Sequence, residues 1–145
     1  MGRSIGSGPT VNLAAKKPCC GVILVTPFMS AAKVVLDSSL VYPIDFFRNA
    51  DAILEINAPI KIIHGTEDSV IPLKHGKQLY KMIKSKGKPY KATWIKNADH
   101  NDLDDFPEYL RCIDEFMMYC EELEEEHTYA AVCKDLNLFD YSLAC

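Results

Sequence analysis

Two short runs dominated by β-branched residues set the strongest limit on what this chain can fold into. Gly21–Thr26 is closed by Pro27, and Pro59–His64 is closed by Gly65. Such runs are too short for core helices and show little polar alternation, so they read as strands covered on both faces. Tyr90–Ile95 reads as a third strand, with Tyr90, Ala92 and Trp94 alternating against Lys91, Thr93 and Ile95. That alternation suits a more exposed strand.

Helical patterns lie between the strands. Pro9–Lys17 puts Val11, Ala14 and Ala15 on one face, and Pro72–Lys84 does the same with Leu73, Gly76, Leu79, Tyr80 and Ile83. Phe106–Leu123 follows an Asp104-Asp105 cap signal and aligns Tyr109, Leu110, Ile113, Phe116, Met117 and Cys120. The alternation predicts an α/β fold, with parallel strands near 21–26, 59–64 and 90–95 and helices packed on the sheet. Residues 27–58 form a longer connection with short helical pieces around Phe46–Ile53. Three strands make a thin parallel sheet, so further strands are expected before residue 1.

Composition narrows the function classes. Of 145 residues, 48% are hydrophobic and 25% charged, a globular balance, and the net charge is -4. No basic stripe exists to hold nucleic acid. No basic start leads into an apolar leader, and no run approaches a membrane span, so a cytoplasmic protein is expected. The six cysteines Cys19, Cys20, Cys112, Cys120, Cys133 and Cys145 form no C-x-x-C pair. They read as reduced and mostly structural. Glu121–Glu126 holds five glutamates, an unfavourable charge for a helix C-terminus, so fraying is expected there. The chain divides into 1–124, the α/β part, and an acidic then apolar tail, 125–145, read as a short amphipathic helix or as loose chain.

Gly2-Arg3-Ser4-Ile5-Gly6 matches G-x-S-x-G. A serine hydroxyl is a weak nucleophile and must project from a sharp turn. Glycines on both sides would permit the strained backbone and keep side chains clear of Ser4. The helix behind it aims N–H groups at developing negative charge, with the Ile5 N–H as the identifiable oxyanion donor. Asp68 follows the second strand in His64-Gly65-Thr66-Glu67-Asp68, where open α/β sheets place their sites. Glu67 is the competing carboxylate. His100 follows the third strand, whereas His64 ends a buried strand, His75 lies in a helix and His127 sits in the acidic tail. Asp99, His100, Asp102, Asp104 and Asp105 have no recognised metal-ligand spacing, so neither a metal nor a cofactor is expected. Nucleophile, acid and base in the order Ser4, Asp68, His100 is the α/β-hydrolase order.

The residues also carry a resemblance. Gly2–Gly6 with Pro9-Thr10-Val11 behind it, Gly21–Phe28, Tyr42–Asn49, Ile62–Asp68 and His100-Asn101-Asp102 are similar to the α/β-hydrolase-domain serine hydrolases of the protein-depalmitoylase branch, over Gly2 to about Leu123. The resemblance implies the C-terminal part of an α/β-hydrolase fold. It also implies hydrolysis of long-chain acyl thioesters on protein cysteines, or of related esters, and therefore an acylated protein or lipid-like ester as partner. Phe28 and Met29, with the 42–53 excursion, are the candidates for an acyl-chain wall. The second oxyanion donor of such enzymes comes from a loop after an early strand, and relatives carry a lipidated cysteine-rich N-terminus; neither is found in this sequence. Where relatives tend to have glycines before the histidine, this chain has Asn97-Ala98-Asp99. The competing expectation is a catalytically inactive half that binds a partner or dimerises through an open sheet edge.

Overall fold

The computed structural model describes residues 1–30, 48–87 and 90–135, with side chains to residue 128. Among these residues a four-stranded parallel sheet runs in the order β1-β2-β3-β4. The strands are β1 Gly2–Arg3, β2 Val22–Val25, β3 Ile60–Gly65 and β4 Thr93–Ile95. Register sets Arg3 beside Val25, Val25 beside Ile63, and Ile63 beside Thr93. The C-terminal ends of all four strands therefore lie along one edge of the sheet.

The helices are α1 Ser7–Ala14, the short α2 Asn49–Ala52, α3 Lys74–Ser85 and the long α4 Pro107–Asp135. They cover both faces, as the unbroken apolar runs of β2 and β3 require. On one face Val22, Leu24, Ile60 and Ile62 meet Val11 of α1, Leu79 and Ile83 of α3, and Ile53 and Ile56. On the other, Ile23, Val25, Ile63 and Ile95 meet Tyr109, Cys112, Phe116 and Cys120 of α4. Val11, Leu24, Ile62, Ile63 and Leu79 have no exposed surface. Burying side chains of this size is worth about 1.5–3 kcal/mol each.

Several expectations shift. A fourth strand, β1, forms where the sequence suggests only a turn; two residues carry no periodic signal, and it is the pairing with Leu24 and Val25 that makes them a strand. The third strand is limited to Thr93–Ile95. Tyr90 lies ahead of it with its ring 4.9 Å from Phe116 and 4.8 Å from Tyr119, so packing on α4 sets its place. On α4 the buried stripe is Tyr109, Cys112, Phe116 and Cys120, while Leu110 and Met117 are exposed. This helix is apolar on more than one side, so periodicity alone does not fix the face. The acidic run does not end the helix. It lies inside a helix that continues to Asp135, away from the terminal dipole that motivated the fraying argument. Cys112 and Cys120 are core residues as expected, but Cys19 and Cys20 are exposed. They lie in the loop before β2, ahead of the first residue the sheet covers.

Lys61 is the one charged side chain buried within β3. Its ammonium donates to the Lys91 carbonyl at 3.0 Å and to Thr93 Oγ1 at 2.7 Å, and lies 5.2 Å from the centre of the Tyr90 ring. Burial pushes its pKa down. Among the described residues no helix is long and apolar enough to cross a membrane.

Candidate active site

Ser4 leaves the sheet at the end of β1 with φ of +50°, in the left-handed region that ordinary residues avoid. A 3₁₀ turn, Ser4–Gly6, leads directly into α1. The two motif glycines differ. A Cβ on Gly2 would stand 2.3 Å from Thr10 Oγ1 and 2.5 Å from the Gly6 carbonyl, so β1 and α1 can approach only through a glycine. A Cβ on Gly6 would meet nothing within 4 Å, and Gly6 has an ordinary φ of −66°. The sequence expectation is that the glycines permit the strained backbone and keep side chains clear of Ser4; the positive φ falls on Ser4 itself, and the room that Gly2 leaves is for α1. Ile5 follows Ser4 in the turn, with its side chain exposed.

The loops after β3 and β4 are fastened to each other. Thr66 N–H donates to the Ile95 carbonyl at 2.9 Å and Glu67 N–H to the Ala98 carbonyl at 3.0 Å. Asn97 N–H donates to Thr66 Oγ1 at 2.9 Å. Gly65 makes this possible, since a Cβ there would sit 2.3 Å from the Ala98 oxygen. Asp99 is a further tie between the loops. Its Oδ1 accepts from Ser69 N–H and from His100 N–H, both at 2.7 Å, and its carboxylate takes the Ser69 hydroxyl at 2.9 Å. The two backbone N–H bonds, aided by the Ser69 hydroxyl, hold the Asp99 pKa down. Asp99 thus serves the backbone of the histidine loop.

These loops deliver Asp68 and His100 to one point. His100 Nδ1 lies 2.9 Å from Asp68 Oδ2 and 3.1 Å from Oδ1. His100 Nε2 lies 3.0 Å from Ser4 Oγ. Asp68 and His100 are both buried, and Ser4 is half-buried. A carboxylate only accepts, so the proton of the neutral imidazole is on Nδ1 and the bare Nε2 accepts from the Ser4 hydroxyl. The Asp68 carboxylate is well supported: Oδ1 also accepts from Val70 N–H at 3.0 Å and Ile71 N–H at 2.7 Å. Burial alone would raise its pKa, but hydrogen bonds from His64, His100 and the Ile71 N–H outweigh that and hold it at about 2. Glu67, the competing carboxylate, is exposed, and its Oε1 is 3.4 Å from Thr66 Oγ1.

Of the other sequence candidates, Phe28 is a buried side chain whose carbonyl accepts from Asn49 Nδ2 at 2.9 Å. Met29 is half-buried against the α1–α3 core. Residues 42–47 of the 42–53 excursion lie outside the described residues; the rest includes α2 and the start of the 3₁₀ turn Ile53–Glu55. Two residues that the sequence reading passes over belong to the site. Arg3 donates from Nη2 to the His100 carbonyl at 3.0 Å and from Nη1 to Asp104 at 2.9 Å. His64 lies 3.3 Å from Asp68 Oδ2 through its Nε2. For His64 the available signal was its spacing of four residues before Asp68; for Arg3 there was none.

Comparison with known proteins bears on this geometry. Residues 18–134 match the family model described as Dienelactone hydrolase family. The chain is 38% identical over 119 residues to "Alpha/beta hydrolase domain-containing protein 17C" of Xenopus tropicalis, covering 81% of this chain and 37% of that protein. It is 38% identical over 117 residues to "Alpha/beta hydrolase domain-containing protein 17B" of Homo sapiens, covering 80% of this chain and 40% of that protein. The chain therefore spans well under half the length of these relatives. Among solved structures, the fold is similar to the Pyrococcus horikoshii acylaminoacyl peptidase, with a TM-score of 0.64, 19% identity, and coverage of 83% of this chain and 23% of that one. It is also similar to Zea mays acyl-protein thioesterase 2, with a TM-score of 0.55, 16% identity, and coverage of 82% and 54%. A partial α/β-hydrolase fold, with its sheet covered on both faces and matched by the family model over 18–134, identifies this chain as a member of the dienelactone hydrolase family.

Proposed function

We propose that this chain carries the catalytic residues of a serine hydrolase acting on acyl thioesters or esters, with Ser4 as nucleophile, His100 as general base and acid, and Asp68 as the group that orients His100. The observation that carries this reading is the unbroken hydrogen-bonded line from Ser4 Oγ through His100 to Asp68, at 3.0 and 2.9 Å. Ser4 Oγ attacks the acyl carbonyl while its proton passes to Nε2 of His100. Asp68 stabilises the imidazolium that forms. The tetrahedral oxyanion takes the Ile5 N–H as one donor. Collapse breaks the carbonyl–sulfur or carbonyl–oxygen bond, and His100 returns the proton to the leaving thiol or alcohol. Water, deprotonated by His100, then releases the acid and restores Ser4.

The preference for long-chain acyl groups on protein cysteines rests on the sequence resemblance to protein depalmitoylases, with Phe28 and Met29 proposed for the acyl wall. The test is a fluorophosphonate probe, which labels an activated serine. Ser4 of this chain, or of a longer protein that contains it, is expected to label, and Ser4→Ala to abolish labelling. Labelling that survives Ser4→Ala overturns the nucleophile. A folded protein that does not label favours the non-catalytic binding reading. One feature supports that second reading: β1 is a two-residue strand at the edge of the sheet, paired only to β2 among the described residues. It predicts self-association measurable by sedimentation.

A further inference from the structure

His64 is the penultimate residue of β3 and has no exposed surface, a place where an apolar side chain would be the cheaper choice. Its Nε2 is 2.8 Å from the Ile71 carbonyl oxygen and 3.3 Å from Asp68 Oδ2. Both partners can only accept, so Nε2 carries the proton and shares it between them. The other nitrogen, Nδ1, has no hydrogen-bond partner among the described residues. Gly76 of α3 is pressed against it, and a Cβ there would stand 2.6 Å from Nδ1. A proton on Nδ1 would be buried with nothing to receive it.

The bonds close a ring around the carboxylate. His64 donates to the Ile71 carbonyl, Ile71 N–H donates to Asp68 Oδ1 at 2.7 Å, and His64 reaches Oδ2 of the same carboxylate. Oδ2 is also the oxygen nearest His100 Nδ1. We propose that His64 is a positioning residue: with its Nε2–H set between the Ile71 carbonyl and Oδ2, it locks the Asp68 carboxylate in the rotation that presents Oδ2 to His100. Its side chain is fully buried, and its partners are Ile71 and Asp68 rather than Ser4. The inference rests on the hydrolase reading for its consequence in catalysis, but the placement of the carboxylate can be tested without it.

Two measurements on the full chain separate the cases. In ¹⁵N-resolved spectra of the imidazoles, the neutral form of His64 is expected to carry its proton on Nε2; a neutral form with the proton on Nδ1 overturns the inference. The ¹³C titration of the Asp68 carboxyl, which faces His64 of β3 and, from the loop after β4, His100 and the charge of Asp99, gives the second readout. His64→Leu should raise its midpoint by about one pH unit, a tenfold change in proton affinity. His64→Gln keeps an N–H at similar reach and should restore it. An unmoved midpoint in a folded His64→Leu protein overturns the inference. If His64→Leu does not fold, His64→Gln decides: fluorophosphonate labelling of Ser4 within about threefold of wild type supports it, and a loss of tenfold or more overturns it. Wild-type protein that shows the stated tautomer yet never labels at Ser4 sinks the hydrolase reading alone. In that case the Asp68 midpoint in His64→Gln decides the carboxylate's placement.

Discussion

The guanidinium of Arg3 reaches across the sheet edge and donates to the backbone carbonyl of His100, 97 residues away in sequence, at 3.0 Å. Arg3 precedes Ser4, so this bond joins the backbone of the proposed nucleophile to the backbone of the proposed base. A second bond, to Asp104, anchors the same guanidinium. Arg3→Met is expected to slow fluorophosphonate labelling roughly tenfold, since small displacements of paired reacting groups weigh heavily on rate. The Arg3–Asp104 ion pair is partly exposed and contributes about 0–1 kcal/mol, so the melting temperature should barely move. Equal losses in rate and stability would refute the clamp.

Asp68→Asn removes the charge and keeps the shape. If the triad reading holds, labelling should fall by about 10⁴, the scale seen when the equivalent acid is neutralised in a well-characterised triad. Retention of more than a tenth of the wild-type rate would show that Asp68 is structural.

The same carboxylate sets an acid limit on stability. Its folded pKa of about 2 lies below the unfolded value of about 3.9. The folded state therefore binds the proton more weakly than the unfolded one. Its contribution, on the order of 2 kcal/mol, is fully present above about pH 4 and is lost as pH falls towards 2. Urea midpoints measured from pH 2 to 7 should fall in that window for wild type, and much less steeply for Asp68→Asn. Parallel curves would contradict the assignment.

The motif glycines should respond unequally. Gly2→Ala drives a methyl into Thr10 and the Gly6 carbonyl and should destabilise by about 1–3 kcal/mol. Gly6→Ala enters open space at an ordinary φ and should stay within about 0.5 kcal/mol. Comparable denaturant midpoints for the two variants would mean that the close approach at Gly2 is relieved elsewhere.

The parallel sheet is legible in the sequence because Val22–Val25 and Ile60–His64 are apolar on both sides, a pattern few other environments produce. Asp68 and His100 stand out as candidates because each follows a predicted strand, and in a parallel sheet all strand ends share one edge; Ser4 stands out through Gly2-Arg3-Ser4-Ile5-Gly6. Features that depend on a distant partner are not legible. β1 exists only through β2, and the outward turn of Leu110 and Met117 follows from which side of α4 meets Ile23 and Ile95. His64 reads as a plain strand residue because its partner oxygens belong to the turn after it. Nor does the sequence show what Asp99, in the departure Asn97-Ala98-Asp99, does: its carboxylate accepts from the backbone N–H groups of Ser69 and His100.

The stitching of the loop after β3 to the loop after β4 has a consequence for how this region opens. Glu67, Ser69 and Asn97 each donate a main-chain N–H to the opposite loop, and Thr66 donates to the last residue of β4. Neither loop can swing out without breaking its bonds to the other, so the two should melt as one local unit. Amide hydrogens of Thr66, Glu67 and Asn97 should then exchange with a common opening free energy. Ser4 stands outside that unit, joined to it by one hydroxyl and its neighbour's guanidinium, so a fluctuation that opens the loops would separate Asp68 and His100 together from a serine that stays with its strand.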